Sequence, residues 1–216
     1  MIKNILNKLR RYKKLFQYFI KGGRYFFNDD LQCYIAKKKI VINNKTFNIS
    51  GTFRSPREKR RWIDFAEQTQ DFTFSWYRSM TKSSILWDIG SANGLEGFLA
   101  YQVSNCSVVF FEPFIPGAES ILKTGFALHL NKKKESIFGI GSKLNLMQCG
   151  ISSKSSFAFI DLHTFPTAGE TKNSISTLKK DYCYGGREKD KHSISLLTPI
   201  FCLDDLVKKQ KFIKPT

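Results

Sequence analysis

The sequence predicts an α/β protein built on a doubly wound parallel sheet, preceded by a basic helix and a small β unit. Two apolar runs, residues 85–88 and 107–112, are typical of strands buried on both faces, and each ends in a carboxylate. A glycine-rich turn follows the first run and leads into apolar residues at helical spacing. Strand, turn, helix and strand in this order indicate an α/β domain.

The positive charge of the chain is concentrated near its N-terminus. Residues 1–61 contain 17 Lys and Arg but three Asp and Glu, so they hold +14 of the net charge of +17. We therefore divide the 216 residues into a basic N-terminal part, 1–54, and a main domain, 55–216.

The first 24 residues carry eight basic and no acidic side chains, and their apolar residues recur every three or four positions up to Gly22 and Gly23. This pattern predicts a basic amphipathic helix that ends at the two glycines. Such a helix can lie in the interface of an anionic membrane. It can equally be a solvated helix that packs partly on the domain. Nucleic acid is not favoured as a partner, because no groove-reading or base-stacking module accompanies the charge.

The cysteines indicate a reducing compartment. All five are scattered along the chain, without a CxxC pair and without a histidine at metal-ligand spacing, so neither a disulfide framework nor a metal site is predicted. No apolar run reaches 18 residues, and the first residues do not resemble a secretory signal. We expect a cytoplasmic protein, which becomes peripheral to a membrane if the basic helix binds one.

Two elements precede the predicted sheet. Residues 31–53 alternate between apolar and polar side chains around Asn43 and Asn44, which predicts a β-hairpin. Ser55 and Pro56 then form a helix-start signal, followed by apolar residues at helical spacing between Trp62 and Phe72. We expect a helix that leads into the main domain.

The glycine turn "DIGSANGLEG" indicates a ligand site. Gly90 is followed by three residues before Gly94, so the spacing departs from the GxGxxG of dinucleotide-binding loops. Asp88 at its start would repel a pyrophosphate but could accept hydrogen bonds from an ammonium group or from water. Glu112 follows Asp88 by about twenty residues, the position at which a carboxylate binds ribose hydroxyls in doubly wound sheets. Because neighbouring parallel strands end at one edge, we expect the loop and Glu112 to face one crevice.

Five segments together resemble the FkbM-type methyltransferases, which use S-adenosylmethionine to methylate hydroxyls of sugars and polyketides: "LWDIGSANGLEGFLA", "VVFFEPF", "ILKTGFALHLN", "LMQCGISS" and "TPIFCLDDLV". The resemblance runs from about Ile85 to the end of the chain. It implies a Rossmann-like sheet of the class I methyltransferase type and an O-methyltransferase that acts on a sugar, glycan or glycolipid hydroxyl. If the basic helix holds the protein at a membrane, a lipid-linked sugar becomes an attractive acceptor.

The resemblance also implies roles for individual residues. The amino-acid part of the cofactor would be held by Asp88, Gly90, Ser91 and Gly94. The ribose would be bound by Glu112. The adenine would lie beside the residues that follow the second and third strands, Pro113, Phe114, Cys149 and Gly150. Asn93 is shifted by one position from the family's asparagine and is given no role.

The C-terminal segment departs from the family pattern. After "LDDL", residues 203–206, the family continues into a strand similar to "IKIDVEG", whereas this sequence reads "KFIKPT". We expect an incomplete sheet whose first strand is left as an exposed edge, and a truncated chain that binds the cofactor poorly.

No catalytic residue is assigned from the sequence. A strand over "SSFAFIDL", a hairpin and a long mobile loop are expected after the third strand. The candidates for a general base toward a hydroxyl acceptor are His163, His192, Asp161 and Asp181, but an ordinary surface or turn role is favoured for each. His129 is expected to be structural.

Two alternative functions stay open. One is a nicotinamide-dependent oxidoreductase on a similar sheet, which the missing GxGxxG disfavours. The other is a catalytically silent protein that uses its basic helix at a membrane surface or in another interaction.

Overall fold

The computed structural model describes residues 23–42, 44–55, 58–59, 62, 71–129, 137–139, 141–162, 174–176, 194–209, 212 and 214–216. The predicted basic helix lies, up to residue 22, outside these residues. None of the helices in the described ranges has the length and apolarity needed to cross a bilayer.

An antiparallel sheet of three strands opens the described chain, in the order β1 (Arg24–Asn28), β2 (Cys33–Ile42) and β3 (Lys45–Phe53). The predicted hairpin is confirmed, because Ile42 pairs with Lys45 across a two-residue turn. Asn44 in that turn has a φ of 61°, a left-handed conformation that asparagine tolerates. β1, which begins at Arg24 directly after the two glycines, was not predicted.

The predicted parallel sheet is confirmed, with strand order β4 (Ile85–Ile89), β5 (Ser107–Phe111) and β6 (Leu144–Met147). Its boundaries differ slightly from the prediction. Asp88 lies inside β4, which continues to Ile89, whereas Glu112 follows the last residue of β5. Cys149 likewise lies beyond the end of β6. The carboxylate of Glu112 is therefore at the tip of its strand, but that of Asp88 is one residue inside.

Helices cover one face of the parallel sheet. α1 (Asp71–Ser79) precedes β4, while α2 (Leu95–Ser104) and α3 (Ile115–His129) connect the three strands. Side chains alternate along β5: Val108 and Phe110 join the core shared with α2 and α3, whereas Val109 and Phe111 join a second core on the opposite face. Burial on both faces explains why the strands are apolar throughout.

The second core is covered by the C-terminal part of the chain. β7 (Gly150–Ile151), β8 (Ser156–Leu162), β9 (Ser174–Ser176) and β10 (Ile194–Phe201) form a sheet in the order β7-β10-β8-β9, and α4 (Leu203–Lys208) follows. β8 confirms the strand predicted over "SSFAFIDL", whereas the first half of β10 had been expected to be loop. Leu206 of α4 is buried in the second core. The whole is a mixed α/β fold, consistent with a Rossmann-like arrangement.

The last residues run beside the outer edge of β4. The backbone N–H of Thr216 donates to the carbonyl of Ile85 at 3.1 Å, and the N–H of Ile85 donates to the Thr216 hydroxyl at 2.9 Å. Phe212 packs near Trp87 and Phe111 on the second core.

Side-chain hydrogen bonds attach the N-terminal sheet to the two helices. The amide of Gln102 on α2 accepts from the N–H of Ser50 at 2.6 Å and donates to its carbonyl at 3.0 Å. The hydroxyl of Thr124 on α3 accepts from the N–H of Thr52 at 3.2 Å. Ser50 and Thr52 are alternate residues, so their backbone groups point to the same side of β3, away from β2. Gln102 and Thr124 therefore supply hydrogen-bond partners to the outer edge of this strand.

The predicted helix start at Ser55 has support in the described residues. The N–H of Glu58 donates to the Ser55 hydroxyl at 3.1 Å, and residues 58, 59 and 62 are helical. Glu58 is buried, and burial raises the pKa of its carboxyl group above the ordinary value, although its hydrogen bond from the N–H of Arg54 opposes the rise.

Candidate functional site

The glycine turn forms a tight loop between β4 and α2. Gly90, Ala92 and Gly94 have φ values of 71°, 55° and 72°, so the loop passes three times through the left-handed region. Gly94 begins α2, and a Cβ atom there would lie 2.8 Å from Phe98 and 2.9 Å from Ile121. Glycine is needed at this position both for the backbone conformation and for the close packing of the helix.

Four backbone N–H groups of this loop are already bonded within the protein. Gly90 and Ser91 donate to the carbonyl of Phe111 at 2.9 and 3.2 Å, and Gly94 donates to the carbonyl of Ser91 at 2.7 Å. The N–H of Ala92 donates to the carboxylate of Glu112 at 2.6 Å. These bonds connect β4 and β5 at their carboxyl ends, the edge at which the sequence predicted the loop and Glu112 to lie.

Glu112 is almost fully buried, with 5% of its surface exposed. One carboxylate oxygen accepts from Ala92 and the other accepts from the N–H of Phe114 at 2.8 Å. A Cβ atom at Gly117 would lie 2.8 Å from Cγ of Glu112, so this glycine allows α3 to pass close to the carboxylate. Glu112 therefore holds the loop in addition to its predicted role toward the ribose.

Asp88 points toward the helical face of the sheet. Its Oδ2 accepts from the N–H of Gly97 in α2 at 3.0 Å, and a Cβ atom at Gly97 would lie 2.9 Å from that oxygen. Burial raises the pKa of Asp88 to about 6; the bond from Gly97 lowers it, and the negative charge of Glu96 raises it further. The loop also closes on Asp88 from the other side, where the Ser91 hydroxyl donates to its carbonyl at 2.5 Å.

A third carboxylate, which the sequence did not single out, stands beside Asp88. Glu96 lies in the first turn of α2 and accepts from the hydroxyl of Tyr77 at 2.5 Å. Tyr77 is 1% exposed, and burial followed by the Glu96 bond raises the pKa of its hydroxyl well above the ordinary range. A tyrosine at helical spacing is usually a core residue, and no sequence signal distinguishes one that also bonds a carboxylate.

The remaining predicted site residues divide between surface and core. Pro113 is partly buried, whereas Phe114 is 5% exposed and Cys149 lies in the second core. Burial raises the pKa of the Cys149 thiol to about 11, as for an inert core cysteine. Gly150 starts β7 and is buried. The structure therefore brings the loop, Asp88 and Glu112 together, but gives Phe114 and Cys149 packing roles.

Two exposed apolar side chains flank the same edge. Ile89, the last residue of β4, is 49% exposed, and Ile115, the first residue of α3, is 53% exposed. Because the strands they adjoin are neighbours, both lie at the carboxyl end of the sheet beside the loop. Single exposed apolar residues are common, so no sequence signal distinguishes these two.

The candidate bases do not form a site within the described residues. Asp161 lies in β8, and His163, Asp181 and His192 are outside the described ranges. His129 is buried at the end of α3; its Nδ1 is 2.9 Å from the carbonyl of Gly125, and its Nε2 is 3.3 Å from the hydroxyl of Tyr101. These contacts support the structural role predicted for His129. Within the ranges that the structure describes, no group of three His, Cys, Asp or Glu could hold a metal ion.

Comparison of the chain with known protein families, with curated proteins and with solved structures finds no match. The function must therefore be argued from the geometry of the loop and its carboxylates.

Proposed function

We propose that the chain binds S-adenosylmethionine at the loop between β4 and α2 and transfers its methyl group to a hydroxyl of a sugar, glycan or glycolipid. The observation that carries the proposal is the bonding of the loop. Its N–H groups at Gly90, Ser91, Ala92 and Gly94 donate to acceptors within the protein, and three carboxylates stand around it.

This arrangement is unfavourable for a dinucleotide. Phosphate-binding loops present unbonded N–H groups and a helix N-terminus to the anion. Here Asp88 already accepts an N–H from the beginning of α2, and Glu96 adds a second negative charge to the same turn. A pyrophosphate would meet few donors and strong repulsion, so the geometry disfavours the nicotinamide-dependent alternative.

The same arrangement suits a ligand that is cationic and carries a ribose. S-adenosylmethionine brings an ammonium group and a sulfonium, and when bound it supplies an electrophilic methyl group. Asp88 and the loop around Ser91 would hold the amino-acid part, Glu112 would accept from a ribose hydroxyl, and Ile115 adds exposed apolar surface beside Pro113 for the adenine. The Rossmann-like sheet of the class I methyltransferase type is part of this proposal.

The chain itself would contribute positioning to the reaction. Methyl transfer to oxygen is an in-line displacement, which accelerates when the two reacting groups are held in line and close together. The acceptor class comes from the resemblance to FkbM-type enzymes, and the general base stays unassigned.

Calorimetric titration with S-adenosylhomocysteine and, in parallel, with NAD tests the proposal. We expect S-adenosylhomocysteine to bind and NAD to bind at least about 100-fold more weakly, since a repelled pyrophosphate loses about 3 kcal/mol or more. Glu112→Gln should weaken S-adenosylhomocysteine binding about tenfold or more, because its amide NH₂ would face one of the two backbone donors.

A matched control separates the site from general charge effects. Asp204→Asn removes one carboxylate from α4, where the Asp204 side chain is 78% exposed, and should leave the affinity unchanged. Equal affinities for the two ligands, or no binding of S-adenosylhomocysteine by a folded chain, would refute the proposal.

A further inference from the structure

One face of the N-terminal sheet carries positive charge and exposed apolar side chains together. Strand alternation and the pairing of Arg24 with Lys37 place five side chains on this surface, called here the basic face: Arg24, Phe26, Lys37, Lys39 and Val41. The other end of the same face is buried against α3, where Thr52 bonds Thr124. The basic face is thus the uncovered half of a sheet that is otherwise packed on the domain.

A cavity of about 510 Å³ opens in this region. It is lined by Arg24, Lys37, Lys38, Lys39, Asn48, Ile49 and Ser50. Among the described residues, the lining contains four basic side chains and no acidic one. Asp29 and Asp30 belong to the turn at the far end of β1, next to Cys33, and do not line the cavity. The cavity has the charge and the amide and hydroxyl groups that a phosphate requires.

Like charges stand directly opposite each other on neighbouring strands. Arg24 pairs with Lys37 in the antiparallel register, and both side chains are exposed. A phosphate placed between them would be attracted by both cations.

The apolar members of the basic face point to a lipid surface as the source of that anion. Val41 is 69% exposed and Phe26 is 44% exposed, and the Lys37 Nζ lies 5.2 Å from the centre of the Phe26 ring. Cations interleaved with exposed apolar side chains are typical of proteins that lie at the interface of an anionic bilayer. A soluble polyanion would gain nothing from Val41.

We infer that the basic face binds anionic phospholipid headgroups, with a headgroup phosphate in the cavity beside Arg24, Lys37 and Lys39. This surface is formed by described strands and does not depend on the helix predicted before Gly22 and Gly23. It is also independent of methyl transfer. β3 leads away from the basic face to Arg54, which donates to the carbonyl of Pro116 at the start of α3 at 3.0 Å. The start of α3, beside the glycine loop, thus lies near the end of β3 that is farther from the basic face.

Vesicle co-sedimentation of the full chain tests the inference. The binding partner is phosphatidylcholine vesicles with or without phosphatidylserine. The triple variant Arg24→Gln, Lys37→Gln, Lys39→Gln should bind phosphatidylserine vesicles about 100-fold more weakly, since each cation near an anionic surface contributes about fivefold. The matched control is Lys82→Gln, Lys154→Gln, Lys214→Gln, three exposed lysines elsewhere whose loss lowers the net charge by the same amount.

The control variant should retain most of the affinity, and Val41→Ser should weaken binding to vesicles. Circular dichroism verifies that every variant folds, which is expected because the changed side chains are exposed. Equal losses in the two triple variants would show that net charge alone drives binding and would overturn the inference. If Val41→Ser binds vesicles normally and inorganic polyphosphate binds as tightly as the vesicles do, the ligand is a soluble polyanion and the membrane assignment is wrong.

Discussion

The raised pKa of Asp88 makes a quantitative prediction about the stability of the fold. The carboxyl group titrates at about 6 in the folded chain, against an ordinary value of 3.8. The folded state therefore binds more protons than the unfolded state between these values, and Asp88 contributes a loss of stability as the pH rises through this window. The full shift corresponds to about 3 kcal/mol, of which about 2.4 kcal/mol falls between pH 4 and pH 7.

Asp88→Asn should remove that pH dependence. The side-chain carbonyl of asparagine still accepts from Gly97, so the helix start is retained while the titration is lost. Urea unfolding of both proteins at a series of pH values gives the difference between their free energies of unfolding. We expect this difference to change by about 2.4 kcal/mol in favour of Asp88→Asn as the pH rises from 4 to 7, and Asp204→Asn to show no such change. Parallel pH profiles for Asp88→Asn and the unmodified chain would refute the burial of this carboxylate.

Three further predictions concern the same region and its support. Affinity for S-adenosylhomocysteine should rise through pH 6, because ionised Asp88 attracts the ammonium group; calorimetry would contradict this if the rise persisted in Asp88→Asn. Gly94→Ala should destabilise the fold by about 1–3 kcal/mol more than Gly90→Ala. The two glycines have nearly the same φ, but only a Cβ atom at Gly94 would have neighbours within 4 Å. Equal urea midpoints for the two variants would contradict this prediction. Gln102→Met should speed hydrogen exchange at Ser50 about tenfold or more by removing its acceptor; unchanged exchange would contradict it.

The parallel sheet could be predicted because its signals are local. The apolar runs ending near Asp88 and Glu112 are short, β-branched or aromatic, and bounded by turn residues, so burial on both faces follows from composition alone. The hairpin around Asn44 was predictable for a similar reason, since two-residue turns require particular residues. β1 was missed because it is short and does not alternate between apolar and polar residues, so its strand character depends on pairing with β2.

The bonding of the site could not be read from the sequence. Glu112 was expected to face a ligand, and its contact with the N–H of Ala92 depends on a left-handed backbone at a residue that seldom adopts one. Gln102 and Thr124 were overlooked for a different reason. Polar residues on a helix usually face solvent, and only the placement of β3 beside α2 and α3 shows that these two satisfy its edge.

The attachment of the loop to Glu112 and to the carbonyl of Phe111 also bears on the speed of ligand capture. A segment that is fixed before encounter has little conformational freedom left to lose, so complex formation does not wait for a rearrangement. Stopped-flow traces should then show one phase whose rate rises linearly with ligand concentration, at the 10⁵–10⁷ M⁻¹s⁻¹ or so of rigid partners. Differences in affinity among ligands would then arise mainly from differences in their dissociation rates.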